Sequence, residues 1–194
     1  MKLDIGISTR NLTEVPAEAK RAEELGFDAL WSMEAGNDAF LPLALAAEHT
    51  RRIKLGPSVA IAFPRSPMAM AYTAWDLAAL SQGRFILGLG TQVKGHIERR
   101  YGVKWEAPVP KLREYVLALK AIFKCWAEGG KKLAFQGKYY NFSLMTPFFA
   151  PRPIIIRFRF TLRVSMSTSC GLPASTVTGS TRILSPQPNT SANS

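Results

Sequence analysis

The sequence predicts an α/β fold built on parallel strands, either a (β/α) barrel or a doubly wound sheet. Strand-like apolar runs alternate with helix-like stretches, and the runs begin near positions 3, 27, 53 and 84, 24 to 31 residues apart. That spacing suits successive strand–helix units whose strands run parallel and are covered on both faces. Length is the third observation. An eight-unit barrel takes about 250 residues, and the 194 residues here carry four such units.

Each element has a local reason. Leu3 to Ser8 alternates and reads as the first strand. Thr13 is the expected cap of the first helix, Pro16 suits its first turn, and Glu14 and Glu18 favour its positive end. Gly26 is the expected stop. The second strand is Phe27 to Ser32 and its helix Leu41 to His49. The third strand runs from Ile53 to Ile61, with a helix from about Ser66 to Leu80 ended by Ser81-Gln82-Gly83. Arg84 to Leu89 is the fourth strand, and Lys111 to Ala127 the fourth helix. Lys131 to Phe135 and Lys138 to Phe142, joined through Gln136-Gly137, read as a β-hairpin. Ile154 to Val164 can form one further strand, whereas Ser165 to Ser194 is expected to lack regular structure.

Composition divides the chain at about residue 150. With 47% hydrophobic residues and a mean hydropathy near zero, the chain is not expected to be wholly disordered or a membrane protein. The net charge of +11 raises nucleic acid as a partner, but no motif of that class accompanies it. Residues 151–194 hold five arginines and no acid, so much of the excess belongs to a basic, Ser/Thr-rich tail. The abrupt change reads as a segment translated out of frame, with a natural basic tail as the alternative. Cys125 and Cys170 lie far apart without Cys-x-x-Cys spacing, which argues against a disulfide framework or a metal knuckle. An acid at position 4, where a signal peptide would turn apolar, adds to the expectation of a cytoplasmic protein.

In parallel barrels the chemistry lies where the strands end. Those ends are Ser8-Thr9-Arg10, Ser32 to Gly36, Ala60 to Phe63 and Gly88 to Gln92. Glu34 is the one carboxylate directly at a strand end and the candidate catalytic residue; capping a helix or pairing with a neighbouring cation is its structural alternative. His96 lies on the loop side but precedes a helix-like start, and helix capping accounts for His49. Trp31 and Cys125 read as core; Arg99, Arg100 and Lys104 read as a solvated face. A site of backbone, hydroxyl and small groups with one acid suits a cofactor that carries the reaction itself.

Three phrases, Gly26-Phe27-Asp28-Ala29-Leu30-Trp31, Arg52-Ile53-Lys54-Leu55-Gly56 and Leu80 to Gly90, resemble the bacterial luciferase-like monooxygenase family, in particular its branch using the deazaflavin coenzyme F420. The resemblance covers residues 1–150; Thr91 to Arg100 and Met145 to Phe149 share it. It implies a partial TIM (β/α)8 barrel of four N-terminal units, with a β-hairpin insertion and an irregular tail from 151 to 194. It further implies an oxidoreductase or monooxygenase that acts on a small organic substrate with F420, or alternatively FMN. Glu34 would stand at the acid position, although Ala35 replaces the histidine that commonly follows. A non-prolyl cis peptide is expected near Ala60-Ile61, with Gly90, Thr91 and Gln92 also contacting the cofactor. A chain with four units is expected to have a half-built pocket, impaired activity and barrel edges open to dimerisation or aggregation. A non-catalytic half-barrel acting as an assembly partner is the alternative.

Overall fold

The computed structural model describes residues 3–7, 10–152, 158–165 and 177–183. Strand β1 (Asp4–Gly6) pairs in parallel with β2 (Ala29–Ser32), and β2 with β3 (Lys54–Pro57). Between them run helices α1 (Val15–Glu24) and α2 (Leu41–His49). The expected third strand is divided: β3 ends at Pro57, Ser58–Val59 is a cis peptide, and β4 covers Ala60–Ile61. The cis bond thus lies upstream of the expected Ala60-Ile61, which instead pair in regular parallel register with Leu89 and Gly90 of β5 (Gly88–Gly90). A bridge from Leu55 to Phe85 links the two parts of the sheet. The four predicted units are therefore parallel and side by side; the sheet is not closed among the described residues.

Helix α3 (Pro67–Leu80) starts as expected, with Ser66 Oγ accepting from Ala69 N–H at 3.1 Å. A short helix α4 (Lys94–Arg99) follows β5, and α5 (Pro108–Ala127) starts three residues before the expected Lys111 because a proline suits its first turn. Thr13 does not cap α1. Its hydroxyl donates to Asn11 Oδ1 at 2.8 Å, and the helix begins later, at Val15. The hairpin is present but short, as β6 (Phe135–Gln136) and β7 (Asn141–Phe142).

Beyond residue 150, β8 (Phe158–Ser165) joins β5 in parallel, and β9 (Val177–Ile183) pairs antiparallel with β8. The sheet therefore continues across the compositional boundary. Within Ser165 to Ser194, expected to lack regular structure, Val177–Ile183 instead forms β9, because β8 offers a partner to a stretch rich in β-branched residues. Ile154–Ile156, Cys170, Ser8 and Thr9 lie outside the described residues.

The core fills the space between sheet and helices. Leu30, Leu55, Leu87 and Leu89 are fully buried against α2 and α3 residues such as Leu43 and Met70. Trp75 on α3 meets Phe123 and Trp126 of α5 with ring centroids 6.0 and 5.4 Å apart. Cys125 is buried among them, as expected, and burial pushes its thiol pKa up. At the opposite end from the strand tips, Arg84 donates to the carbonyls of Ala47, Thr50 and Ile53 at 2.8–3.0 Å, closing the negative end of α2.

Candidate functional site at the strand tips

β4 pairs in parallel with β5, and the hydrogen bond from Ile61 N–H to Glu34 brings the carboxyl end of β2 beside theirs. Ala60 and Ile61 form β4 and are buried. Gly90 closes β5, and its carbonyl accepts from Ala62 N–H at 2.9 Å. Thr91 follows, 3% exposed, with its hydroxyl donating to the Gln92 carbonyl at 3.0 Å. Gln92 adopts φ +60°, a left-handed conformation uncommon outside glycine, and its side-chain oxygen accepts from Val93 N–H at 3.0 Å. The Thr91 hydroxyl proton is thus used locally, so this residue offers a ligand its oxygen as an acceptor.

Glu34 lies two residues past β2 and crosses to β4. Its Oε2 accepts from Ile61 N–H at 2.7 Å, and Arg65 Nη1 donates to Oε1 at 2.7 Å and Oε2 at 2.9 Å. The Glu34 side chain is 6% exposed. Arg65 also donates from Nη2 to Asp38 Oδ2 at 3.0 Å and lies over the Phe40 ring. Asp38 Oδ1 in turn accepts from Phe40 and Leu41 N–H at 2.7 and 3.1 Å, where α2 begins. Burial opposes the charge on Arg65, but hydrogen bonds and attraction from Glu34 and Asp38 outweigh it and raise its pKa.

Residues 100–107 fold back over these tips. Arg100 Nη2 donates to the Ala35 carbonyl at 2.9 Å, and Tyr101 OH points to Glu34 Oε1 at 3.5 Å, the limit of a hydrogen bond. Burial, then the Glu34 charge, raises the Tyr101 pKa. Trp105 meets Phe63 edge-on at 6.0 Å.

The structure therefore gathers Glu34, Ala60, Ile61, Gly90, Thr91 and Gln92 at the tips of adjacent strands. His96 is exposed on α4 and His49 Nδ1 lies 2.8 Å from the Leu45 carbonyl at the end of α2. Trp31 Nε1 donates to Asp4 Oδ2 at 2.9 Å, across β1 and β2. Arg65 and Tyr101 escaped the sequence reading. Arg65 carried a signal nonetheless: a cation directly before the Ser66 cap stands where the helix dipole disfavours positive charge, so acidic partners are implied. Tyr101 had none, because its approach to Glu34 depends on how the α4–α5 segment folds.

The donor set is backbone amides and carbonyls, a hydroxyl, an amide and a neutralised ion pair. Mostly neutral polar groups on a stretch of strand-end backbone suit a planar ligand with polar edges; Ile61 N–H, Ala62 N–H and the Thr91 hydroxyl already donate within the protein. No cluster of His, Cys, Asp and Glu able to hold a metal occurs among the described residues.

The model of the luciferase-like monooxygenase family matches residues 2–166. An uncharacterised protein of Mycobacterium tuberculosis is 48% identical over 153 residues, 79% of this chain and 44% of that protein. The 5,10-methylenetetrahydromethanopterin reductase of Archaeoglobus fulgidus is 32% identical over 132 residues, 67% of this chain and 38% of the reductase. The chain thus spans less than half the length of these curated relatives. Among solved structures, the coenzyme F420-dependent tetrahydromethanopterin reductase of Methanopyrus kandleri superposes with a TM-score of 0.59 at 26% identity, covering 73% of this chain and 44% of that one. The monooxygenase RslO1 of Streptomyces bottropensis reaches 0.70 at 22% identity, over 86% of this chain and 54% of its own, a likeness of fold.

Proposed function

The chain belongs to the luciferase-like monooxygenase family, and on that premise we propose that it is an oxidoreductase segment that binds coenzyme F420 at the tips of β2, β4 and β5. FMN is the alternative cofactor, since one fold neighbour is a monooxygenase in complex with FMN, whereas the Methanopyrus kandleri reductase is named as coenzyme F420-dependent. The observation that carries the reading is the convergence of Glu34, Ile61 and the Gly90–Gln92 turn, where the paired ends of β4 and β5 meet the side chain that follows β2. That is where barrel enzymes place their chemistry.

When bound, such a cofactor supplies hydride transfer or, as reduced flavin, oxygen activation on a small organic substrate. The protein's own residues bind and orient. Glu34 and Arg65 hold Ile61 through its N–H and its carbonyl; Ala60, Ile61 and Gly90 would present backbone to the ring, and Thr91 and Gln92 would shape the turn beside it. The Arg100–Ala107 segment would cover part of the tips, where Trp105 packs on Phe63.

In finer detail, residues 1–150 correspond to the first four units of a (β/α)8 barrel, with the hairpin β6–β7 as an insertion. Loops after the seventh and eighth strands commonly hold phosphate in such barrels, so four units alone are expected to bind the ring more weakly than a closed barrel and to turn over poorly. Titrating the chain separately with coenzyme F420 and FMN, followed by fluorescence quenching, tests the reading. Saturable binding of F420 is the expected result. Binding of FMN alone would reverse the cofactor preference, and binding of neither would remove the proposal.

A further inference from the structure

Two charged side chains from different loops converge on Ile61, one on each of the two peptide groups that flank its Cα. Glu34 Oε2 accepts from Ile61 N–H at 2.7 Å, while Arg65 Nη1 donates to the Ile61 carbonyl at 3.2 Å and to both oxygens of Glu34. Ile61 lies beyond the last backbone bond from this strand to β2, Ser58 N–H to Ser32 O at 2.7 Å. Past that bond β2 has ended, so a carboxylate stands in for the missing ladder acceptor. Arg65 is itself oriented from two further sides, by Asp38 at 3.0 Å and by the Phe40 ring 5.4 Å away. Only a planar guanidinium meets this set of carboxylate and carbonyl oxygens at once; an ammonium is a point charge on a flexible stem.

We propose that Arg65 is a positioning residue that sets the backbone on both sides of Ile61 at the tip of β4, acting largely through Glu34, and so shapes the surface that meets the cofactor ring. The inference rests on the cofactor-binding reading for the ring, though not for the positioning itself. Arg65 need not touch the cofactor. Its role is to prevent the backbone at Ile61 from rotating or hydrating on the side facing the end of β2, where backbone pairing has stopped. On the other side β5 holds it, through Ala62 N–H to the Gly90 carbonyl.

The test uses the full chain and the variants Arg65→Met, Arg65→Lys, Glu34→Gln and the double variant Arg65→Met/Glu34→Gln. Amide hydrogen exchange at Ile61 is measured without cofactor, F420 and FMN affinities by fluorescence quenching, and thermal midpoints as a control. In Arg65→Met the Ile61 amide is expected to exchange about tenfold faster, while Leu30 and Leu55 amides in β2 and β3 keep their protection. Cofactor affinity should fall by about tenfold in parallel, the scale of one charge-assisted hydrogen bond. Arg65→Lys should lie between the two, and the double variant should lose no more than Arg65→Met alone, because the two side chains are paired with each other and hold the same residue. Unchanged Ile61 exchange overturns the proposal. So does acceleration spread evenly over the sheet, which marks a purely structural residue, or a loss in the double variant equal to the sum of the singles. If Arg65→Met does not fold, Arg65→Lys and Glu34→Gln decide the same question at Ile61. Should the unaltered chain bind neither cofactor, the functional reading falls, and Ile61 exchange still decides whether Arg65 positions the strand tip.

Discussion

Glu34 shows how one side chain can join two roles that a sequence keeps apart. It stands at a strand end, where an acid suggests chemistry, and it is also half of a well-enclosed ion pair whose second carboxylate partner, Asp38, starts α2. From the sequence alone, Glu34→Ala is expected to impair cofactor binding with little effect on folding. The structure revises that expectation. Removing the carboxylate leaves Arg65, 25% exposed, with Asp38 as its remaining acid and deprives Ile61 N–H of its acceptor. Partial exposure of Arg65 moderates the cost, so a loss of about 1–3 kcal/mol is expected by denaturant unfolding. A stability change within error would show the pair to be dispensable for the fold. Thr91 makes the opposite case. Its hydroxyl donates to the Gln92 carbonyl, so Thr91→Val should lower F420 affinity by less than about threefold, as expected for losing one acceptor that water can replace. A loss of tenfold or more in the same quenching titration would assign that oxygen a direct contact.

The elements are tied to each other by charged side chains that end one element on the next. Glu23, in the last turn of α1, accepts from the N–H groups of Arg51, Arg52 and Ile53 at the entrance to β3. Burial by itself would raise the Glu23 pKa, but these three amides and the charge of Arg52 outweigh it and bring the carboxyl below its usual value of 4.5. A group depressed in the folded state contributes stability above its unfolded pKa and loses it as the pH falls through the folded one. Glu23→Gln should therefore lower the thermal midpoint at neutral pH and leave the remaining stability less sensitive to acid below pH 4.5. Parallel midpoint curves for the two proteins down to the acid limb would refute this linkage. Gly56 belongs to the same scale. A Cβ there would collide with the Ile86 carbonyl, and Ile86 N–H donates to Leu55 O at 2.8 Å, so the residue lets β3 lie against the segment entering β5.

At the scale of the whole molecule, the parallel set runs β1-β2-β3 and, through β4, on to β5 and β8, with β9 antiparallel at the far side. Among the described strands β1 is paired on one side alone, and Leu144, Phe148 and Phe149 are 74%, 88% and 56% exposed. An open parallel edge and exposed apolar side chains favour association. The chain is expected to self-associate with rising concentration in sedimentation velocity, and a single monomeric species across the accessible range would count against it. Binding of F420 should raise the thermal midpoint by mass action at concentrations above the dissociation constant. This links the assembly question to the cofactor question without assuming turnover.

What the amino-acid order determined by itself was periodic and local. The strand–helix alternation, the Ser66 cap, the glycine stop after α1 and the phrases at the second, third and fourth strands all act within a few residues, and they suffice for the parallel α/β class and for the family. Glu34, Ala60, Ile61, Gly90, Thr91 and Gln92 were readable as a group for the same reason, since a parallel sheet brings its carboxyl ends together whatever the side chains. Only the tertiary structure decided what those residues do to one another. That Glu34 reaches Ile61 and Arg65, that Tyr101 closes over them, that the third strand divides after Pro57 and that Val177–Ile183 finds β8 all depend on contacts distant in the chain, often 25 residues or more. Such contacts are set by packing and charge pairing, which leave no period in the sequence to read.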